Sequence, residues 1–596
     1  MRWLGWWKQQ FEKQNWRWIL AGIVLLIALP TLKNGLLADD HIHRNVFHGA
    51  ASNGSSHKHP IMSMFSFFPN DPTTQKQQRE WGVLPWWTSP RFFGSFWRPV
   101  SASTHWLDYQ LWPDSPWLMH LQSVLWLLFA IGVAFFLYRS FLPQRWMIHA
   151  ALTCYALHEG FAFPTAWIAN RNALIAVAFG LLCLLLHHQW RTTRQNYLGI
   201  ATYTCFLVAL LSGESAIAIL AYLFGYTLFM DRSSRFQRTL VFGAYLICVV
   251  SWRLLYNSLG YGMKASGLYT DPLHSPVAFL QNLLMKLPVL FLGEWATPSA
   301  SIYLLLEGPA LWAYVAFATL FLVFVLWMLR HLREQPVAMF LATGMLFSLI
   351  PATATAPHGR LLLFSSFGGM GLLVLLWEKL LATQEVSPST NFPWLFRLVV
   401  VCVSVRLVIS PFFLIGDSQG GPIVEKAACL LSDSITIPKG NEKQTLVILN
   451  SPLYILDLLT LERKRWRKQP IPERYRVLAT GHRKLTLKRL DSHTLSLRTQ
   501  RTFVILFGTL FRSPQDPMKP GEVVRLPDMT ATVKAVDKDG YPTAVNFRFS
   551  VPLNSPKIKF LRATTKGYVV FQPPPVGKSV QVPSFPYLKW LFQDFL

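Results

Sequence analysis

Apolar residues in this chain come in long unbroken stretches, with little alternation over its first two thirds. Runs of the length that crosses a bilayer as a helix, roughly 20 residues, recur from Trp18 to Phe413. The pattern predicts spans near 16–37, 117–138, 145–161, 165–187, 196–212, 214–230, 238–258, 302–329, 336–355, 360–383 and 394–415, about 11 in all. The stretch SPVAFLQNLLMKLPVLFLGEW is amphipathic at helical spacing and short for a span, which predicts an interfacial or re-entrant helix. No small-residue cleavage site follows the first run, so it reads as a retained span and not as a signal peptide. After Phe413 the pattern changes to short β-rich runs: QTLVILN, KLTLKRL, TFVILFG, ATVKAVD, AVNFRFS and GYVVFQ. Turn residues such as DKDGYP and FQPPPVG separate them. The predicted fold is a polytopic α-helical membrane domain over 1–415, with external loops 38–116 and 259–301, followed by an extracytoplasmic β-rich domain over 416–596.

Charge orients this arrangement. The head MRWLGWWKQQFEKQNWRW is basic, and so are the alternate short loops YRSFLPQRW, HHQWRTTRQN, MDRSSRFQR and LRHLREQ. The connections between them, HEGFAFPT, SGES and PATATAPHGR, carry little positive charge. The bias predicts a multi-pass protein of the inner (plasma) membrane with a cytoplasmic N-terminus and an external C-terminal domain. Membrane lipids are then obligatory partners, and nucleic acid is excluded for a domain on the outer side. That domain is strongly basic and contributes much of the net charge of +26. Attraction to anionic headgroups accounts for it, with a platform for an anionic glycan or phosphate as the alternative. The aromatic text WGVLPWWTSPRFFGSFWRPV in the first loop predicts anchoring at headgroup level. Five of the six cysteines lie in apolar runs, so no disulfide framework is expected.

Charged residues in or beside spans are costly and mark candidate sites. Asp39 and Asp40 follow the first span, where carboxylates would oppose a helix C-terminus. Arg98 lies in FWRPVS, His120 opens the second span, and His158 and Glu159 end the third. Arg171 lies in WIANRNAL, Glu214 in LLSGESAI and Arg360 in PHGRLLLFSS. In the derived orientation all of these fall near the outer face, as a site for an anionic ligand at the membrane surface would require. Snorkelling, ordinary pairing and helix-end solvation are the bland reading of each residue alone.

The order of a short cytoplasmic head, one span, an acidic pair in ADDHIHRN, a long external loop and many further spans resembles the GT-C superfamily of integral-membrane glycosyltransferases. FWRPVSASTHWLDYQLWPDSPWLMHLQS resembles the matching stretch in bacterial relatives of the protein O-mannosyltransferases. TAWIANRNALIAVAFGLL, GESAIAILAY and GRLLLFSSFGG resemble three further segments of those proteins and align Arg171, Glu214 and Arg360 with them. GES lacks the Lys of that pattern, and GRLLLF lacks its Glu. The resemblance covers roughly the first 415 residues. It implies transfer of a sugar from a polyprenyl-phosphate donor to an extracytoplasmic glycan, lipid or protein, with Asp39 or Asp40 as catalytic base. Arg171 and Arg360 would bind the lipid phosphate, and Arg98, His120, His158, Glu159 and Glu214 would support the site. One acidic pair supplies too few ligands to assign a divalent cation, which stays an alternative role for the second Asp. The alternative function is a transporter or envelope-assembly scaffold without catalysis, for which Arg253 and Arg406, inside apolar runs, are the candidates.

Overall fold

The computed structural model describes residues 2–48, 59–296, 300–386, 393–437, 443–481 and 483–591. Residues 49–58 of the first external loop and 297–299 of the second lie outside them. The chain divides into two compact units, each built from segments distant in sequence. One holds 1–36, 97–259 and 275–421; the other holds 37–96, 260–274 and 422–596. The expected boundary at 415 therefore lies six residues early, and most of the first loop belongs with the C-terminal region.

The first unit is helical. Among the described residues eight helices are long and apolar enough to cross a membrane, from Trp16–Lys33 to Arg397–Ser434, and Asn196–Ser212, Glu214–Phe229 and Pro336–Ala352 are shorter apolar helices. The helix Gly359–Ala382 is the most enclosed of the long ones. Buried tyrosine hydroxyls from neighbouring helices find their acceptors on its first turns: Tyr138 donates to Phe367 O (2.6 Å), Tyr155 to Leu363 O (3.1 Å) and Tyr222 to Phe364 O (2.7 Å). Buried polar groups need such partners. Close approach uses small residues. A Cβ on Gly344 would lie 2.1 Å from the Tyr222 ring, so only glycine fits there.

In the second unit β1 (Phe93–Ser95) pairs with β2 (Gly262–Lys264), and Gly267 N donates to Thr509 O at 2.8 Å, so segments 37–96, 260–274 and 422–596 interlock. In the first unit the helix Pro276–Trp295 is long and apolar enough to cross a membrane. Its first half exposes Val277, Leu280 and Leu284 while Val289–Leu292 are buried.

The C-terminal part of the second unit is β-rich. β3 (Thr445–Ile448) and β4 (Arg474–Val477) are parallel and joined by the helix Tyr454–Trp466, since parallel neighbours need a crossover. The remaining strands are β5 (Leu485–Arg489), β6 (Thr494–Thr499), β7 (Val523–Arg525), β8 (Met529–Val536), β9 (Pro542–Phe549), β10 (Ile558–Thr564), β11 (Gly567–Val570) and β12 (Ser579–Val582). One sheet has the order β11-β10-β3-β4; an antiparallel sheet has the order β12-β5-β6-β9-β8-β7. TFVILFG, expected as a strand, is irregular chain leading into the 3-10 helix Leu506–Phe511. Phe503 and Val504 are buried in the core without a ladder, whereas Phe507 is exposed. Trp86 and Trp87 are not at headgroup level. Both are buried in this core, with their indole N–H groups donating to Leu478 O (3.0 Å) and Gly508 O (3.1 Å).

Asp457 is a carboxyl buried in this core. It accepts hydrogen bonds from Ser451, Tyr475 (2.5 Å) and Tyr568 (2.7 Å). Burial pushes its carboxyl up to about 6 from the ordinary 3.8, against these hydrogen bonds. A carboxyl raised in the folded state binds its proton more tightly there than in the unfolded chain, so it costs stability as pH rises from about 4 through about 6. The shift corresponds to a cost on the order of 3 kcal/mol at pH 7. Thermal unfolding of Asp457→Asn against wild type should therefore show a difference that moves in favour of the variant by that order between pH 4 and pH 7. A pH-independent difference would contradict the assignment.

Candidate active site

Asp39 and Asp40 do not close the first span. That helix ends in a 3-10 turn, Leu29–Lys33, and a new helix, Asp39–Phe47, starts at the acidic pair. The carboxylates therefore occupy a first turn, where negative charge is favourable, instead of a last turn, where it is not. Ala38, just before them, has φ +43° and ψ −115°, a strained conformation for a residue with a Cβ. It offers no side-chain cap; Asp40 instead accepts from Leu37 N at 2.8 Å, which ties the first turn to the chain before it. Asp40 is buried, whereas Asp39 is partly exposed.

Further along this helix the side chains fix it within the second unit. His41 Nε2 donates to Glu425 at 2.9 Å, while its Nδ1 accepts from Arg44 at 3.3 Å, a pairing that suits the neutral ring. Glu425 also accepts from Arg463. The Arg44 guanidinium lies over the Trp466 ring, 3.7 Å from its centre. Asn45 donates to Glu462 at 2.6 Å, and Glu462 accepts from Arg465 at 2.7 Å. The helix that begins with the acidic pair is thus held against Tyr454–Trp466 by aromatic and ionic contacts on successive turns.

The remaining candidates lie in the first unit and form three groups. Arg98 donates to Glu214 at 2.8 Å, and Tyr256 donates to the other oxygen of Glu214 at 3.2 Å. Arg171 is fully buried. Its guanidinium donates to Asp108 (2.6 Å), Gln122, Ser123 (3.0 Å) and Met119 O (2.5 Å). His120, on the same helix as Gln122 and Ser123, donates from Nε2 to Gly35 O at 2.7 Å. The third group joins His158 and Glu159 to the turn that carries Arg360. Gly160 N donates to His158 Nδ1 at 2.9 Å, and a Cβ on Gly160 would lie 2.8 Å from Gly359 O, so the two turns meet through glycines. Arg360 is partly exposed, lies 5.9 Å from the centre of the Trp167 ring, and has no carboxylate partner among the described residues.

Glu159 is paired with Arg406 at 2.7 Å and accepts from Ser410 at 2.6 Å, all of them buried in the apolar unit. Arg406 lies in the π-helical segment Val405–Ile409, whose wider turn is a deviation of the kind found where a helix accommodates a buried polar group. It also donates to Gly293 O. Beside that carbonyl, Glu294 accepts from Ser365 (2.8 Å) and Ser366 (3.2 Å). Asp108 and Glu294 were not among the expected site residues. Each is a lone acid in aromatic or apolar text, WLDYQLW and FLGEW, which is the signal that could have found them. Among the described residues no group of three or more His, Cys, Asp or Glu is arranged to hold a metal ion.

No protein-family model and no curated protein matches the chain. Among solved structures it is similar to the archaeal oligosaccharyltransferase AglB from Archaeoglobus fulgidus, in complex with an inhibitory peptide and a dolichol-phosphate, at 11% identity and a TM-score of 0.40, over 78% of this chain. The chain spans 65% of the length of that protein. It is also similar to ArnT from Cupriavidus metallidurans bound to undecaprenyl phosphate, at 13% identity and a TM-score of 0.38, over 77% of this chain and 86% of that one. The apo state of the same ArnT gives 14% identity and a TM-score of 0.38, over 77% and 89%.

Proposed function

We propose that the chain transfers a sugar from a polyprenyl-phosphate donor to an acceptor on the extracytoplasmic side, with Asp39 as the general base. The acceptor hydroxyl gives its proton to Asp39 as its oxygen attacks the anomeric carbon. The bond from that carbon to the phosphate oxygen breaks, and polyprenyl phosphate leaves with the bonding electrons, its charge met by a guanidinium. The reading rests on the motifs that resemble the GT-C enzymes and on one observation above all: a strained, non-glycine Ala38 delivers a partly exposed Asp39 into the first turn of a well-tethered helix. Backbone strain of this sort costs on the order of 1–3 kcal/mol and concentrates at functional sites. Asp40, occupied with Leu37 N, serves to shape that turn.

The arginines divide in the same way. Arg171 has four acceptors and no exposure, which suits a positioning role; Arg360 keeps exposure and lacks a carboxylate partner among the described residues. Lys in place of Arg360 keeps the charge but loses the planar fork. The apparent donor affinity of Arg360→Lys should fall on the order of tenfold, and that of Arg360→Ala further, with membrane accumulation unchanged. Donor titrations with unchanged affinity in both variants would rule Arg360 out as a donor contact.

A further inference from the structure

The antiparallel sheet of the second unit has one buried and one exposed face. Leu487, Leu495, Leu497, Val545, Phe547 and Val533 point into the core. The opposite face is different in kind. Its cations are Lys488 on β5, Arg498 on β6, Arg548 on β9, Lys534 on β8 and Arg525 on β7, all exposed. Between them the register puts short hydroxyl and amide side chains: Ser496 lies opposite Lys488 and Asn546, Thr532 lies opposite Asn546, Thr486 lies opposite Arg498 and Gln581, and Thr530 lies opposite Arg548 and Arg525. The one acid near these cations is Asp491, at 3.7 Å from Arg548, with both side chains solvated; such a pair holds little energy. Of the strand residues in these rows only Val523, on the edge strand, is a large apolar side chain that stands exposed.

From these observations we infer that this face binds an acidic polysaccharide on the outer side of the membrane. Strands about 4.8 Å apart and residues about 3.4 Å apart set neighbouring cations roughly 8–14 Å from one another. That spacing lets every second or third sugar of an extended polymer with an anionic group on each sugar meet a cation. The hydroxyls and amides between the cations supply donors and acceptors for sugar hydroxyls. A lipid surface is the rival partner, since cations alone attract anionic headgroups; the hydroxyls and amides set between these cations favour a polymer of sugar hydroxyls, and the vesicles in the test below separate the two. As the class of acceptor, the polymer rests on the proposed transfer reaction; as a ligand, it does not.

Binding of the full chain, in phosphatidylcholine nanodiscs and without donor, tests this directly. The probes are polygalacturonate, neutral dextran and phosphatidylglycerol vesicles. Wild type should bind polygalacturonate in a salt-sensitive way and leave dextran free. The triple variant Lys488→Ser, Arg498→Ser, Arg548→Ser should bind polygalacturonate at least about tenfold more weakly. A control that removes the same charge elsewhere in the unit, Lys538→Ser, Lys557→Ser, Lys566→Ser, should bind as wild type does. Equal loss in both triples would mean that net charge alone acts, and would overturn the inference. So would an unaffected sheet variant, or binding to the vesicles without binding to polygalacturonate. Because no donor is present, loss of transfer with binding intact counts against the catalytic reading and not against this face.

Discussion

Asp39→Asn is expected to slow glycosyl transfer by a factor on the order of 10²–10⁴, with the protein still accumulating in the membrane at the wild-type level. Asn keeps the size of the side chain and most of its hydrogen bonding but cannot take the acceptor proton. Asp40→Asn should behave differently, because its structural task, accepting from Leu37 N, can be met by the amide oxygen of Asn. Its transfer rate should stay well above that of Asp39→Asn. Asp40→Ala loses the hydrogen bond from Leu37 N and should destabilise the turn by about 1 kcal/mol. Rates for the three variants, measured with one donor and one acceptor, separate the base from the structural carboxylate. If Asp40→Asn falls as far as Asp39→Asn, the division of roles between the two carboxylates is wrong; if neither falls, the pair is not catalytic.

The largest expected effect on stability belongs to the Glu159–Arg406 pair. Arg406→Met leaves the Glu159 carboxylate buried in the apolar unit without its cation, with the Ser410 hydroxyl bonded to it and His158 Nδ1 at 3.7 Å. Removing one partner of a buried pair costs on the order of 3–5 kcal/mol. The double variant Glu159→Gln, Arg406→Met removes both charges and should recover most of that loss. Unfolding in detergent of the two single variants and the double variant completes the cycle. Near-additive losses would mean that the two residues are not coupled. The same cycle bears on the transporter alternative, since a permanently paired Arg406 is unsuited to a site that must be exposed first to one side and then to the other.

The helical unit was legible because its signal is length: unbroken apolar runs do not depend on what packs against them. The limit of that signal is what joins distant segments: the pairing of 93–95 with 262–264 and of Gly267 with Thr509 are long-range contacts that periodicity does not carry. In the second unit QTLVILN and AVNFRFS form strands as their composition suggests. TFVILFG has the same composition and does not, because Phe503 and Val504 reach the core from irregular chain that leads into a 3-10 turn. Trp86 and Trp87 read as interfacial for a similar reason: an aromatic run looks alike at a headgroup and in a core.

For the candidate site, residue types were easier to read than roles. The charged residues stood out because charge is rare in this text. Asp39 and Asp40 were legible as a pair but not as a helix start, since the signal for that start is the left-handed Ala38, a position that sequence rules assign to glycine or asparagine. Arg171 and Arg360 looked equivalent, each at one end of an apolar run. The partner that distinguishes them, Asp108, is 63 residues from Arg171. Glu159 read as a helix end because Arg406 is 247 residues away.

The central claim is that this chain releases a sugar from polyprenyl phosphate, and following the donor tests it most directly. The purified chain in nanodiscs, given a labelled polyprenyl-phosphate sugar and a mixed pool of extracytoplasmic glycans, should liberate polyprenyl phosphate in step with label entering the acceptor pool. Asp39→Asn protein should leave the donor intact over the same time. A donor that stays intact with wild-type protein, or is consumed equally by wild type and Asp39→Asn, would contradict the account.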